Sequence, residues 1–277
     1  MKQHLRTREK PMEVTFTAPT SEIPRDRWGR PLITPPDGGK AIGYTRISTL
    51  SKALDNKDAL MAWKQRMTAI GLGKRPDLAQ RAAITSLDDR KALNEIVEGA
   101  MAAAESDKAA NIGTTLHALT EQVDAGTLGE VTPEHAADLA AYAQAMARIE
   151  AKAAELFVIN DELQAAGTLD RIVALPDGRV VVADIKTGQS EPNYPHGVTT
   201  QVAIYARGQM YDPINGRGAT LAEVGVDQAT GLLIWLPAGQ AKCELYTLDL
   251  TIGWSIAKTA HAVRTVFKSK PIERYTP

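Results

Sequence analysis

Asp184 and Lys186 close the run Val180-Val181-Val182-Ala183-Asp184-Ile185-Lys186, an apolar stretch that ends abruptly in a carboxylate and an ammonium. Such a run reads as a β-strand. Alternate residues of a strand share a face, so the two charged side chains point the same way while Ile185 turns into the core. The turn Pro176-Asp177-Gly178 precedes it and pairs it antiparallel with a strand carrying Gly167-Thr168-Leu169-Asp170. Asp170 then comes within reach of Asp184. Two carboxylates held close repel unless a proton or a cation lies between them. With oxygen ligands and an open position, the expected ion is magnesium or manganese. Such an ion polarises a phosphoryl oxygen and lowers the pKa of water, and a neighbouring lysine positions that water and steadies charge in a pentavalent transition state. These are the requirements of metal-assisted phosphodiester hydrolysis. The plain alternative is a surface hairpin whose Asp and Lys solvate its end. For an isolated Asp-x-Lys that alternative is preferred; Gly167-x-x-Asp170 one strand earlier weighs against it.

Two helical pairs lie nearby. Gln201 and Tyr205 are four residues apart and share a helix face immediately after the Asp-x-Lys strand. Gly113-Thr114-Thr115-Leu116-His117 places small residues and a histidine on another helix, with Glu121 one turn on. Taken alone, His117 is more often a core or surface histidine than a ligand. A tyrosine at a core edge beside an incidental glutamine is the ordinary reading of the other pair.

The elements that must position these residues follow from periodicity. Residues 1–40 carry scattered proline, glycine and charge and are expected as an extended N-terminal arm. Their basic residues Lys2, Arg6, Arg8, Lys10, Arg25, Arg27 and Arg30 are read as a solvated tail ahead of an arm gripping nucleic acid. A helical elaboration spans 41–131. Its first helix is capped by Asn56, runs through Ala59, Leu60, Trp63, Met67 and Ile70, and ends at Gly71; further helices cover 87–104 and 107–124. Thr132-Pro133-Glu134 announces a helix to about Ala154, with Leu139, Tyr142, Met146 and Ile149 as its buried stripe. Strands are expected at 156–159, 167–175 and 179–185, a helix at 199–211, strands at 231–236 and 243–248, and a closing helix at 251–267. The core at 132–277 therefore runs helix, three strands, helix, strand, an α/β (α+β) pattern within a single domain at 41–277.

Composition narrows the function classes. The chain of 277 residues is 44% hydrophobic and 23% charged, ordinary for a soluble globular protein. Its formal net charge of -1 argues against a passive nucleic-acid coat protein. Cys243 is the one cysteine, which excludes an internal disulfide framework and any cysteine cluster for zinc or iron–sulfur. The charged start has no apolar segment behind it, and no stretch approaches the roughly 20 apolar residues of a membrane span. A cytoplasmic protein without membrane partners is expected.

In order along the chain, Gly113-Thr114-Thr115-Leu116-His117, Gly167-Thr168-Leu169-Asp170, Asp184-Ile185-Lys186-Thr187-Gly188 and Gln201-Val202-Ala203-Ile204-Tyr205 resemble the signatures of the RecB-like branch of the PD-(D/E)xK nucleases. That branch includes the RecB and AddA nuclease domains, CRISPR adaptation nucleases and many phage exonucleases. The resemblance spans residues 44–267 and implies a restriction-endonuclease-like core. It also implies a metal-dependent deoxyribonuclease, taken as an exonuclease of phage-type recombination, repair or replication. A structure-specific or nicking endonuclease of the same fold is the alternative. His117, Asp170 and Asp184 would ligate magnesium or manganese together with the backbone carbonyl of Ile185. Lys186 would be the catalytic lysine, and Gln201 and Tyr205 would line the site; Glu155 and Glu162 are left without a role. Branch members with an iron–sulfur cluster need four cysteines, so that cluster is excluded here. Implied partners are DNA, a helicase or recombination (annealing) protein, and further copies of the chain in a homo-oligomer. If phage-encoded, the protein would work in the host cytoplasm.

Two rivals remain. Lys186-Thr187-Gly188 and Ser255-Ile256-Ala257-Lys258 match motifs of penicillin-recognising serine acyltransferases, but in the wrong order and without Ser-Asp-Asn. A non-enzymatic nucleic-acid-binding module on a decayed scaffold should have lost a ligand or the lysine, and neither is missing.

Overall fold

Strands that are apolar on both faces oblige helices to cover both, and the central strands of this chain have that character. The computed structural model describes residues 16–273. The chain opens with short strands β1 (Leu32–Ile33), β2 (Ile42–Gly43) and β3 (Thr45–Arg46). Helices follow: α1 (Ile47–Leu50), α2 (Asp58–Lys74), α3 (Pro76–Ile84), α4 (Arg90–Ala103), α5 (Lys108–Asp124) and α6 (Pro133–Met146). Next come β4 (Glu150–Asn160), β5 (Ala165–Ala174) and β6 (Val180–Lys186), then α7 (His196–Ala206). The hairpin β7 (Gln209–Asp212) and β8 (Gly216–Thr220) precedes β9 (Thr230–Trp235), β10 (Glu244–Asp249) and α8 (Leu250–Val266).

The main sheet runs β10-β9-β6-β5-β4-β7-β8, with β3 joining β5 in parallel. It is mixed: β6 and β9 are parallel across the α7 connection, and β4, β5 and β6 are antiparallel. On one face, Leu116 of α5 and Leu139, Tyr142 and Met146 of α6 pack on Val181, Ala183, Ile185 and Ile234. On the other, Val202 and Ile204 of α7 and Leu250 and Ala257 of α8 pack on Leu169, Ile172, Val182 and Leu233. The fold is mixed α/β. Among the described residues no helix is long and apolar enough to cross a membrane.

Several expected boundaries are corrected. The helix expected to reach Ala154 stops at Met146, and Glu150 begins β4. Its alanines favour helix, but Ala151, Ala153 and Ala154 pair with Val173, Ile172 and Arg171, and pairing overrides propensity. The helix expected to reach Tyr211 ends at Ala206, because Gly208 turns the chain into β7. The strand pair β7–β8 has no place in the expected order. Gly71 does not end its helix. It lies inside α2, where a Cβ would come 1.8 Å from the Ala100 carbonyl oxygen of α4, so only glycine permits that contact. Pro76 at the first position of α3 starts a helix that periodicity did not reveal.

The described part of the arm is no solvated tail. Ile23 and Ile33 are buried with Tyr44, Phe157, Ile159 and Tyr211, and β1 pairs with β2. Lys2, Arg6, Arg8 and Lys10 lie outside the described residues. Nor is 41–131 one unit in packing: β3 and α5 belong to the sheet and its cover, while Leu78, Ile96 and Ala100 of α3 and α4 form a separate small cluster with Leu72.

Gly253 of α8 sits where a Cβ would come 2.4 Å from the Thr199 carbonyl oxygen of α7. Gly253→Ala must push α8 away from α7, and overpacking of this kind costs about 1–3 kcal/mol. Thermal melting should show a drop of several degrees, at about 2–4 °C per kcal/mol for a chain this long. An unchanged melting temperature would contradict the close approach of the two helices.

Candidate metal and catalytic site

The register of β5 and β6 sets Arg171 opposite Ala183, so the next pair outward is Asp170 with Asp184. On the other edge of β5, Ala154 faces Arg171 and Leu156 faces Leu169, which puts Glu155 opposite Asp170. The backbone positions of three carboxylate residues therefore line up in a row across β4, β5 and β6, although none of the three is itself a ladder partner of another. Glu155 holds φ of 48°, a left-handed conformation that costs a non-glycine residue about 1–3 kcal/mol and breaks the pleat at this point.

Asp184 is the most deeply buried of the three carboxylates. Its side chain is 2% exposed, and neither carboxylate oxygen receives a hydrogen bond of acceptable geometry. The Lys186 ammonium approaches Oδ2 to 2.5 Å as an ion pair, which leaves Oδ1 as the true orphan. Burial pushes the Asp184 pKa up, to about 6; Lys186 opposes the rise, Asp170 adds to it, and Lys52 opposes it from beyond α1. Asp170 is anchored differently, accepting the Ile185 N–H on Oδ2 at 2.9 Å.

His117 Nδ1 stands 3.7 Å from that same oxygen. Its helix is seated by Leu116 in the core beneath α5, with Ile112 and Leu119 beside it. Gly113 lets α5 lie against the residue after Lys186, since a Cβ there would meet Thr187 Oγ1 at 2.7 Å. Burial lowers the His117 pKa, with Asp170 and the Ile185 backbone opposing and Lys186 and Arg171 assisting. The ring is therefore neutral near pH 7, the form that ligates.

From α7, Gln201 and Tyr205 are both buried, and Gln201 Nε2 reaches the Tyr205 hydroxyl at a long 3.5 Å. Gly167 makes room for that hydroxyl, which lies 3.2 Å from the position of a Cβ there. Burial first, then Asp184 and Asp170, raise the Tyr205 pKa and keep the phenol protonated. His117, Asp170, Asp184, Lys186, Gln201 and Tyr205 are thus gathered around the middle of β5 and the C-terminal end of β6.

Other residues here were not singled out from sequence. Arg171 is fully buried; its Nε donates to Asp124 Oδ2 at 2.6 Å, and its other nitrogens donate to the Asp170 carbonyl at 2.8 Å and Thr120 Oγ1 at 3.2 Å. The Tyr142 hydroxyl donates to the same Asp124 carboxylate at 2.8 Å. The network ties α5 and α6 to β5 and so sets where His117 stands relative to Asp170. An arginine inside the apolar stretch from Leu169 to Ala174, and an aspartate two turns after His117, were the available signals. Glu121 takes part, 3.8 Å from Arg171. Glu155 is raised to about 7 by burial first, then by Glu121 and Asp170, although solvent reaches its side chain and screens part of the effect. Glu162 belongs to the turn after β4 and acts on Arg207 instead.

Two cavities flank Lys186. One of about 650 Å³ is lined by Lys52, Lys186, Tyr194, His196 and Gln201. The other, about 550 Å³, is lined by Thr187, Gly188 and Ile112, with Trp63 and Met67 of α2.

The donor set fits a hard divalent cation: an orphaned buried carboxylate, a second carboxylate and a neutral imidazole. Two donors each about 2.1 Å from one ion stand at most about 4.2 Å apart, and the 3.7 Å between His117 and Asp170 is within that span. Among the described residues no three His, Cys, Asp or Glu side chains converge on one point. Lys186 holds the place beside Asp184 that a cation's charge would take, so the ammonium must swing aside for one to bind.

No family model matches the chain, and no curated protein matches it. Among solved structures that do match is one described as "Crystal structure of SSO0001", at 16% identity, covering 62% of this chain and 68% of that one with a TM-score of 0.30. At that score the likeness carries no argument.

The raised pKa of Asp184 has a consequence for stability. The folded protein holds the Asp184 proton between about pH 4 and 6, where the unfolded chain has lost it, so stability falls as pH rises through 6. In chelator, Asp184→Asn should therefore raise the melting temperature above pH 7, by an amount worth on the order of 1–3 kcal/mol. The gain should fade toward pH 4. Melts across this range check it, and identical curves for variant and wild type at pH 7.5 would contradict an incompletely relieved charge at Asp184.

Proposed function

We propose that this chain is a metal-dependent deoxyribonuclease with a PD-(D/E)xK core, acting as an exonuclease. The observation that carries the reading is Asp184, a fully buried carboxylate with an unpartnered oxygen, set opposite Asp170 and beside Lys186, with a neutral His117 3.7 Å from Asp170. The order of the four motifs along the chain supports the same reading.

His117, Asp170, Asp184 and the Ile185 carbonyl would hold magnesium or manganese, which supplies polarisation of a phosphoryl oxygen and a lowered pKa for water. Lys186, on leaving Asp184, donates to the non-bridging oxygens of the phosphodiester and offsets the negative charge that builds as water attacks phosphorus. One P–O ester bond breaks as the new one forms, leaving a phosphate monoester and a hydroxyl. Asp170 keeps its orientation through the Ile185 N–H. Tyr205 and Gln201 close the buried side of the site and shield the Asp184 end of β6 from bulk water. Lys52 and His196 line the cavity beside Lys186, where the strand to be cut would lie.

An end-labelled linear duplex beside a closed circular plasmid, with magnesium and then with chelator, tests the reading. The linear DNA should shorten from its ends, the plasmid should persist, and chelator should stop the reaction. Cutting in excess chelator would overturn the proposal, and cutting of the plasmid would replace exonuclease by endonuclease. Lys186→Ala should lower turnover about 10²–10³-fold while manganese still raises the melting temperature. A wild-type rate in this variant would remove Lys186 from the chemistry. His117→Ala should shift the manganese dependence of activity to higher concentration, with part of the rate recovered at saturation. If only the melting temperature falls, His117 is a packing residue.

A further inference from the structure

Away from the carboxylate row lies a second concentration of chemistry. A cleft of about 220 Å³ is lined by Arg30, Arg46, His261, Arg264, Lys268 and the exposed Trp28, and by no carboxylate. Arg30 is paired with Asp26 at 2.7 Å. Among the described residues Arg46, Arg264 and Lys268 form no ion pair. Arg264 is half-buried in the wall of the cleft. The negative end of the α8 dipole favours cations in its last turn, which accounts for Arg264 but not for Arg46 or Trp28. The chain's net charge is -1, so this clustering is local and no echo of a basic protein.

The cleft is also shaped. Gly43 leaves room for Arg30, whose guanidinium lies 3.0 Å from the position of a Cβ on that residue. Trp28 stands at the rim, 61% exposed, with the guanidinium carbons of Arg27 and Arg30 at 4.1 Å and 5.0 Å from its ring centroid. An exposed aromatic ring among cations is what single-stranded nucleic acid uses: phosphates meet the cations and a base stacks on the ring. The cations come from three separate places, the β1–β2 region, the start of α1 and the end of α8. That spread suits successive phosphates of a strand better than one small anion. Thr49 and Leu50 of α1 line this cleft, while the adjoining Ser51 and Lys52 line the cavity that contains Lys186. A strand crossing α1 would touch both.

We propose that this basic cleft is a second nucleic-acid contact, in which Arg46, Arg264 and Lys268 grip the phosphate backbone of the strand held at Lys186 and Trp28 stacks on one of its bases. The identity of the strand rests on the proposed nuclease function; the cleft itself does not. The test is fluorescence anisotropy of a labelled single-stranded oligodeoxynucleotide, in chelator and over a series of salt concentrations. The double variant Arg264→Ala/Lys268→Ala should bind about tenfold or more weakly and lose about 1.4, roughly 0.7 per phosphate contact, from the slope of log affinity against log salt. Trp28→Ala should weaken binding with little change of slope. Magnesium-dependent hydrolysis of a small chromogenic phosphodiester should be unchanged in all of these. If the double variant melts early, Arg264→Gln alone gives the same comparison. Unchanged affinity and slope in the folded variants would overturn the proposal. So would inorganic phosphate binding at these residues without displacement by the oligonucleotide, which would make the cleft a small-phosphate site. A wild-type protein that binds the strand and never cuts it would remove the nuclease reading while leaving the cleft.

Discussion

A carboxylate buried at the end of an apolar strand, facing a second carboxylate, is the constraint around which this molecule is arranged. Burial of an ionised Asp184 without hydrogen bonds would cost several kcal/mol, and the chain meets that cost with Lys186 and with a proton held to higher pH than usual. Neither relief is complete, because Oδ1 has no partner. The divalent cation of the proposed function would offset the charge of both aspartates together.

The surroundings follow from holding that charge in place. The β5–β6 register brings Asp170 opposite Asp184, and α7 seals the buried side with Tyr205 because Gly167 leaves room for its hydroxyl. On the opposite face, the fully buried Arg171 links β5 to Asp124, Thr120 and, through Asp124, to Tyr142. This fixes α5, and with it His117, at ligand distance from Asp170. A buried arginine is expensive by itself, yet here each of its three nitrogens has a hydrogen-bond partner, which gives the helix one seat rather than several.

Much of this was legible in the residues. Alternation along Val180–Lys186 and the turn at Pro176–Gly178 gave the antiparallel pair, and the i, i+4 spacing of Gln201 and Tyr205 gave their shared helix face. What was not legible depended on contacts distant in sequence. Ala151–Ala154 read as helix because local propensity is silent about the partner strand β5. Gly71 read as a helix stop because its reason for being glycine is a carbonyl oxygen on α4. Glu155 had no assignable role until the β4–β5 register set it opposite Asp170. Arg171 was not singled out, since nothing adjacent in sequence announces Asp124 as its partner. The arm at 16–40 read as a tail because Ile23 and Ile33 are isolated apolar residues, and only the edge formed by Phe157, Ile159 and Tyr211 explains them.

The claim that Asp170 and Asp184 await a cation is tested most directly by calorimetric titration of manganese into the chelator-treated protein at pH 7.5, beside Asp184→Asn. Metal binding that draws Asp170 and Asp184 onto one ion is expected to be saturable in the wild type and lost in the variant. Equal binding by both proteins, or no saturable binding by the wild type, would contradict it.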